Sequence, residues 1–283
     1  MTLAILLGLG SGLMWGVGDF FGGLQSRSLP TLIVTLWSQI VGAIGLVLVL
    51  LITREAPAAQ SILWGALSGL FGGLALIMFY RGLAEGMMSL VAPVSACGAI
   101  VPVVAGLIQG ESPSMWGSVG IIAAFADIIL VSLHPGAASE HHGNARRSLV
   151  FALGAALGFG LFFVFLDRAG DVPNASPIWA TFGARLCALC VTIVLLARTP
   201  RPLPWPGRRL PLVALVGILD TGANVLFIFA SIHGALGIVG VLGSLYPVAT
   251  VLLSRFVLAE RLSWPQHAGV ALALAGVILV SAG

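Results

Sequence analysis

Apolar residues along this chain run in unbroken stretches of about 20, and polar residues collect in the short gaps between them. Strands of an outer-membrane barrel would alternate apolar and polar positions, and these stretches do not. Backbone donors and acceptors immersed in lipid must be satisfied within their own segment, so each stretch is predicted to be a membrane-spanning helix. Gaps marked by Pro, Gly and Arg set off ten spans: Leu3 to Gly23, Thr31 to Thr53, Ser61 to Tyr80, Met87 to Gln109, Met115 to Leu133, Leu149 to Leu166, Pro177 to Ala197, Pro211 to Ile232, Leu236 to Leu258, and Pro265 to Ala282. The predicted fold class is an all-α membrane protein of ten transmembrane helices.

The longest polar connection, His134 to Ser148, divides the chain into residues 1–134, a linker 135–148 and residues 149–283. The outer segments superpose with an offset of about 148. Glu111 then matches Glu260, Gly120 matches Gly269, and Ile129-Leu130-Val131-Ser132 matches Ile278-Leu279-Val280-Ser281; upstream, Thr35 matches Thr181 and Gly86 matches Gly234. An odd number of spans per half turns the second half upside down. Two inverted five-helix repeats result, with a site expected at their interface near the midplane.

Composition agrees with this picture. Of 283 residues, 59% are hydrophobic and 8% charged, with a mean hydropathy of +1.09; soluble domains carry roughly a quarter charged residues. The net charge is only +3 and no lysine is present, so no nucleic-acid partner is expected. Cys97, Cys187 and Cys190 sit in apolar runs and read as small helix residues, not as a disulfide or metal set. The N-terminus lacks a basic n-region and a small-residue cleavage site, so the first apolar run reads as a retained span.

Ser244-Leu245-Tyr246-Pro247, followed by Glu260-Arg261-Leu262, Gly269 and Ala275-Gly276-Val277, resembles the closing signature of EamA-type carriers of the drug/metabolite transporter superfamily. Trp15-Gly16 and the first-half segment from Gly110-Glu111 to Ser132 extend the resemblance over essentially the whole chain. It implies a carrier of small metabolites, often amino acids, with export as the direction, no enzymatic activity and no cofactor. The implied partners are a small-molecule substrate and the lipid bilayer, with a homodimer allowed; the implied location is the cell membrane, in a bacterium the inner membrane. The chain departs from a symmetric pattern at two places. Ser95-Ala96-Cys97-Gly98 stands where the second half has Ser244-Leu245-Tyr246-Pro247, and Asp127 stands where it has Gly276.

Ionisable groups inside the hydrocarbon cost about 2.5–3.5 kcal/mol each on insertion scales, so each needs a partner, water or a function. Arg185 in the seventh span and Asp220 and Asn224 in the eighth fall at similar depth. Arg185 is therefore predicted to meet Asp220 or Asn224 across neighbouring helices. Such a pair either fixes helix packing or opens to take a substrate carboxylate on Arg185 and an ammonium or proton on Asp220. Gln39 and Gly72 occupy the matching first-half positions, which makes the polar site lopsided. Gln39, Trp15, Tyr246 and Ser244 are further candidate substrate contacts, and Asp19 and Asp127 are candidates for proton coupling or an acidic entrance.

The remaining signals read as structure. Glycines spaced by four, at 8, 12 and 16, at 65, 69 and 73, and at 154 and 158, suit close helix packing. Pro93, Pro102 and Pro247 are expected to bend the fourth and ninth spans. Glu111 and Glu260 read as interfacial residues. His134 and Glu140-His141-His142 read as a solvated linker, so no metal is expected.

Arginines cluster in the gaps after odd-numbered spans and, with Arg255, at the end of the ninth, ten against two, which by the positive-inside rule puts both termini outside; the family resemblance implies cytoplasmic termini. Two rivals to a carrier are a non-transporting partner subunit and an intramembrane enzyme acting on a lipid-linked substrate.

Overall fold

In a computed structural model, residues 2–26, 28–85, 94–95, 97–132, 145–199 and 204–257 are described, with isolated positions between 264 and 279. Their regular structure is helical: α1 (Thr2–Ser26), α2 (Thr31–Thr53), α3 (Ala59–Glu85), α4 (Ile100–Ile108), α5 (Met115–Ser132), α6 (Ala145–Arg168), α7 (Pro177–Ala197), α8 (Leu210–His233), α9 (Leu236–Gly243) and α10 (Tyr246–Val257). Single 3-10 turns at Cys97–Ala99 and Gly207–Arg209 precede α4 and α8. Among the described residues, six stretches are long and apolar enough to cross a membrane: Thr2–Ser26, Thr31–Thr53, Ala59–Phe79, Leu149–Arg168, Pro177–Ala197 and Gly207–His233.

Two spans differ from the sequence reading. The ninth is divided: α9 ends at Gly243, and α10 starts at Tyr246 with Pro247 in its first turn, where a missing N–H costs nothing. Proline here accompanies a fresh helix start, not a bend in a continuous one. Pro102 likewise is the third residue of α4, inside the turn that needs no intrahelical donor. Residues 86–93, the linker 133–144, Glu260 and most of the tenth predicted span lie outside the described residues. The helix α6 starts at Ala145, four residues ahead of the expected Leu149.

Side-chain hydrogen bonds fix which helix ends meet. Ser61 Oγ donates to the Ala169 carbonyl (3.0 Å) and accepts from the Ser176 amide (3.2 Å). Ser176 Oγ, which also caps α7 by accepting from Trp179 N–H, lies 2.5 Å from Glu55 Oε2. These bonds bring the α2–α3 and α6–α7 connections together. Gly234 packs on Ala4, and the Glu111 loop meets the start of α9, so the same face of the bundle carries the N-terminus. Ser61→Ala leaves the buried Ser176 amide without its acceptor, at a cost of about 1–3 kcal/mol. Thermal unfolding in detergent should register a lower midpoint than the parent's.

Small residues let the helices touch backbone to backbone. A methyl group on Gly65 or Gly69 would run into the carbonyl of Ala180 or Ala184, and one on Gly183 into that of Ile62, so α3 and α7 share a seam without side chains between them. Gly217 meets Ser38, and Gly42 meets Thr221, between α8 and α2. Hydroxyls bridge helices as well: Ser11 Oγ donates to the Ala223 carbonyl (2.8 Å), and Ser68 Oγ to that of Phe162 (3.0 Å). The largest core cluster gathers Trp15, Phe163 and Phe227 around Leu236 and Val239 of α9.

Candidate functional site

Arg185 projects from α7 into the bundle and is 2% exposed. Its Nη1 forms an ion pair with Asp220 Oδ2 on α8 and donates to Gln39 Oε1 on α2 at 2.8 Å. Three helices thus converge on one guanidinium nitrogen. The fork offers further donors, and Nε and Nη2 are buried without a hydrogen-bond partner among the described residues. On α8, Thr221 Oγ1 and Asn224 Oδ1 are buried and unpartnered in the same way. An orphaned buried polar atom costs about 1–3 kcal/mol, so the two free nitrogens of the Arg185 fork mark a place where an occupant can add bonds.

The two members of the pair differ in access. The Asp220 side chain is 35% exposed and that of Arg185 only 3%. Asp19 on α1 is exposed and within electrostatic reach of Asp220, and its neighbour Gly18 packs beside the Asp220 amide. The cation is therefore the buried member of the pair and the carboxylate the accessible one.

Other candidates from the sequence are placed elsewhere. Trp15 is buried in a ring cluster, edge-on to Phe163 (5.5 Å) and tilted on Phe227 (5.8 Å), with Phe163 stacked on Phe227 at 5.0 Å. Ser244 turns its hydroxyl back onto the Gly240 carbonyl (2.7 Å), closing off α9. Tyr246 packs against the Trp15 cluster at the start of α10. Asp127 falls on α5, its side chain outside the described ones. Two residues with structural claims escaped the sequence reading. Thr221 adjoins Asp220 and stands three residues before Asn224, a helical spacing that could have flagged it. Glu111 accepts hydrogen bonds from the Leu236 and Gly237 amides across more than a hundred residues of sequence, and no local signal announces that contact.

The sequence model of the EamA-like transporter family matches residues 2–133 and again residues 146–282. This chain belongs to the EamA-like transporter family. As a member it is a multi-pass membrane transporter. Its similarity extends to a protein of Streptantibioticus cattleyicolor (strain ATCC 35852 / DSM 46488 / JCM 4925 / NBRC 14057 / NRRL 8057) described as a probable terminal-alkyne amino-acid exporter. The two are 37% identical over 103 residues, and the match spans 35% of each chain, about a third of that relative's length. A crystal structure of a protein 18% identical superposes with a TM-score of 0.76 over 99% of this chain and 96% of that one, which shows a common fold.

Proposed function

We propose that this transporter moves a small polar or zwitterionic metabolite, amino-acid-like, and that its carboxylate is received by Arg185. The carrying observation is the buried guanidinium with two unpartnered nitrogens. A carboxylate on Nε and Nη2 makes the bidentate contact that arginine is shaped for, while an ammonium turns toward Asp220, with Gln39 orienting the fork. Export of an amino acid, named for the relative, is consistent with such a site. The ion pair then serves as the resting partner of each charge, exchanged for substrate during turnover, and no reaction chemistry is needed.

Two inverted repeats alternating access around this site complete the reading. Supporting it, the family model matches twice along the chain, and the contact between Gly69 and Ala184 has its counterpart, in the register of the repeat, in that between Gly217 and Ser38. Gln39 and Arg185, matched between the halves, touch each other, as residues on a two-fold axis do. The first test is flux of labelled amino acids and small metabolites by purified protein in proteoliposomes, with and without a pH gradient. Concentrative or exchange flux of a zwitterion supports the proposal; no flux across a broad panel favours a partner-subunit role.

Proton coupling through Asp19 and Asp127 belongs to the same proposal. Asp19 is exposed next to the ion pair, so a proton reaching it alters the charge facing Asp220. Asp19→Asn is expected to abolish stimulation by a pH gradient while gradient-free exchange persists. Undiminished pH-driven flux in Asp19→Asn and Asp127→Asn would remove both residues from the coupling role.

A further inference from the structure

Five residues of α1, Gly8, Gly12, Trp15, Asp19 and Gly23, lie on one stripe at helical spacing. The first three are buried: Gly8 and Gly12 approach Leu242 and Gly243 of α9, and Trp15 packs on Gly243 and Phe227. The stripe then opens. Asp19 and Gly23 are exposed, and a side chain on Gly23 would meet nothing within 4 Å. The ion pair thus lies beside the exposed part of the stripe, on the far side of Trp15 from the N-terminus, and α9 covers the N-terminal part.

All eight residues of α9 are buried, and the helix is a short plug of about 12 Å. Its C-terminal end stops at the break before Tyr246 and packs on Gly12 and Trp15 of α1, while its N-terminal end is held by hydrogen bonds. The holder is Glu111, from the loop after α4: Oε1 accepts from the Leu236 amide at 2.5 Å and Oε2 from the Gly237 amide at 3.0 Å. A carboxylate there satisfies two helix-end donors and complements the positive end of the helix dipole. Val103 and Pro102 of α4 lie against Gly237 and Gly240, so the clasp ties α9 to α4. Space flanks it on both sides. Cavities of about 180 and 250 Å³ share Glu111 in their lining, the first with Ser112 and Ala235, the second with Asp167 and Ser231.

We infer that Glu111 is a positioning residue for transport: its clasp on α9 sets the equilibrium between the state seen here, closed on the N-terminal side, and one open there. The inference rests on the transport reading of the Arg185 site, but its test needs no substrate.

In a background with Cys97, Cys187 and Cys190 replaced by alanine, two reporters are labelled with a membrane-impermeant maleimide: Ser244→Cys, at the inner end of the plug, and Gly23→Cys, on the exposed stripe. In the parent, Gly23→Cys reacts from the side opposite the N-terminus and Ser244→Cys is protected. Glu111→Gln keeps the shape and loses the charge-assisted pair of bonds. It is expected to raise Ser244→Cys labelling from the N-terminal side by about tenfold or more and to lower Gly23→Cys labelling from the other, because one population grows at the expense of the other. An increase at both reporters means that the clasp merely stabilises the fold, and no change at either means that it does not hold the gate; either outcome overturns the inference. If Glu111→Gln does not accumulate, Glu111→Asp, with its shorter reach, is read in the same assay and should shift both rates in the same opposed directions. Opposed shifts without flux across the panel would retain the gate and discard the substrate proposal; flux without opposed shifts would do the reverse.

Discussion

Arg185→Ala is expected to cut substrate flux roughly 10- to 150-fold, the loss that follows when charge-assisted bonds worth about 1.5–3 kcal/mol disappear. The same substitution removes the partner of Asp220. Breaking a fully buried ion pair costs about 3–5 kcal/mol, but the Asp220 side chain is 35% exposed, so solvent reduces the penalty and the fold should survive. The double variant Arg185→Gln/Asp220→Asn separates the roles. It removes both charges together, so its melting temperature should lie above that of Arg185→Ala while flux stays low. Parental flux in Arg185→Ala would make the pair a packing device and sink the proposed site.

A comparably large effect is expected in stability, at the seam between α3 and α7. Gly69→Ala places a methyl group against the Ala184 carbonyl, a backbone atom that no rotamer change can move aside. Overpacking of this kind costs about 1–3 kcal/mol, set against a gain of up to about 1 kcal/mol from the better helix propensity of alanine. Gly73→Ala is the internal control. A methyl there meets only the Val191 side chain, at 3.4–3.7 Å, so the propensity gain stands unopposed. Thermal unfolding in detergent should show the Gly69→Ala midpoint falling and the Gly73→Ala midpoint holding or rising. Equal midpoints for the two variants would refute the backbone contact.

Much of this arrangement was legible before any coordinates. Lipid permits few backbone conformations, so long apolar runs translate directly into helices, and α1, α2, α7 and α8 fall close to their predicted bounds. Depth arithmetic also brought Arg185 and Asp220 to one level, because rise per residue is nearly constant in a helix. The division of the ninth span was harder to read, since Ser244-Leu245 is apolar enough to continue a helix and only the position of Pro247 within a first turn distinguishes a restart from a bend. Trp15, a candidate cavity contact in the sequence, packs against Phe163 and Phe227 in the structure; an aromatic side chain serves a site or a core equally well, and spacing on its own helix does not choose. Glu111 was least legible, because its partners are backbone amides, which every residue but proline carries.

The bonds joining Ser61, Ala169, Ser176 and Glu55 bear on which parts can move. They weld a hairpin from the first half of the chain to one from the second, and the glycine seam of α3 and α7 extends the weld inward. On the proposed reading of two repeats, rigid rocking of one half against the other would break these bonds. On the proposed transport reading the frame would then be drawn from both repeats, from α2, α3, α6 and α7, and the moving piece would be α9, released when the Glu111 clasp opens. An ancestral duplication would then have supplied not two jaws but two half-frames, and cross-linking α3 to α7 should leave transport running where cross-linking α4 to α9 stops it.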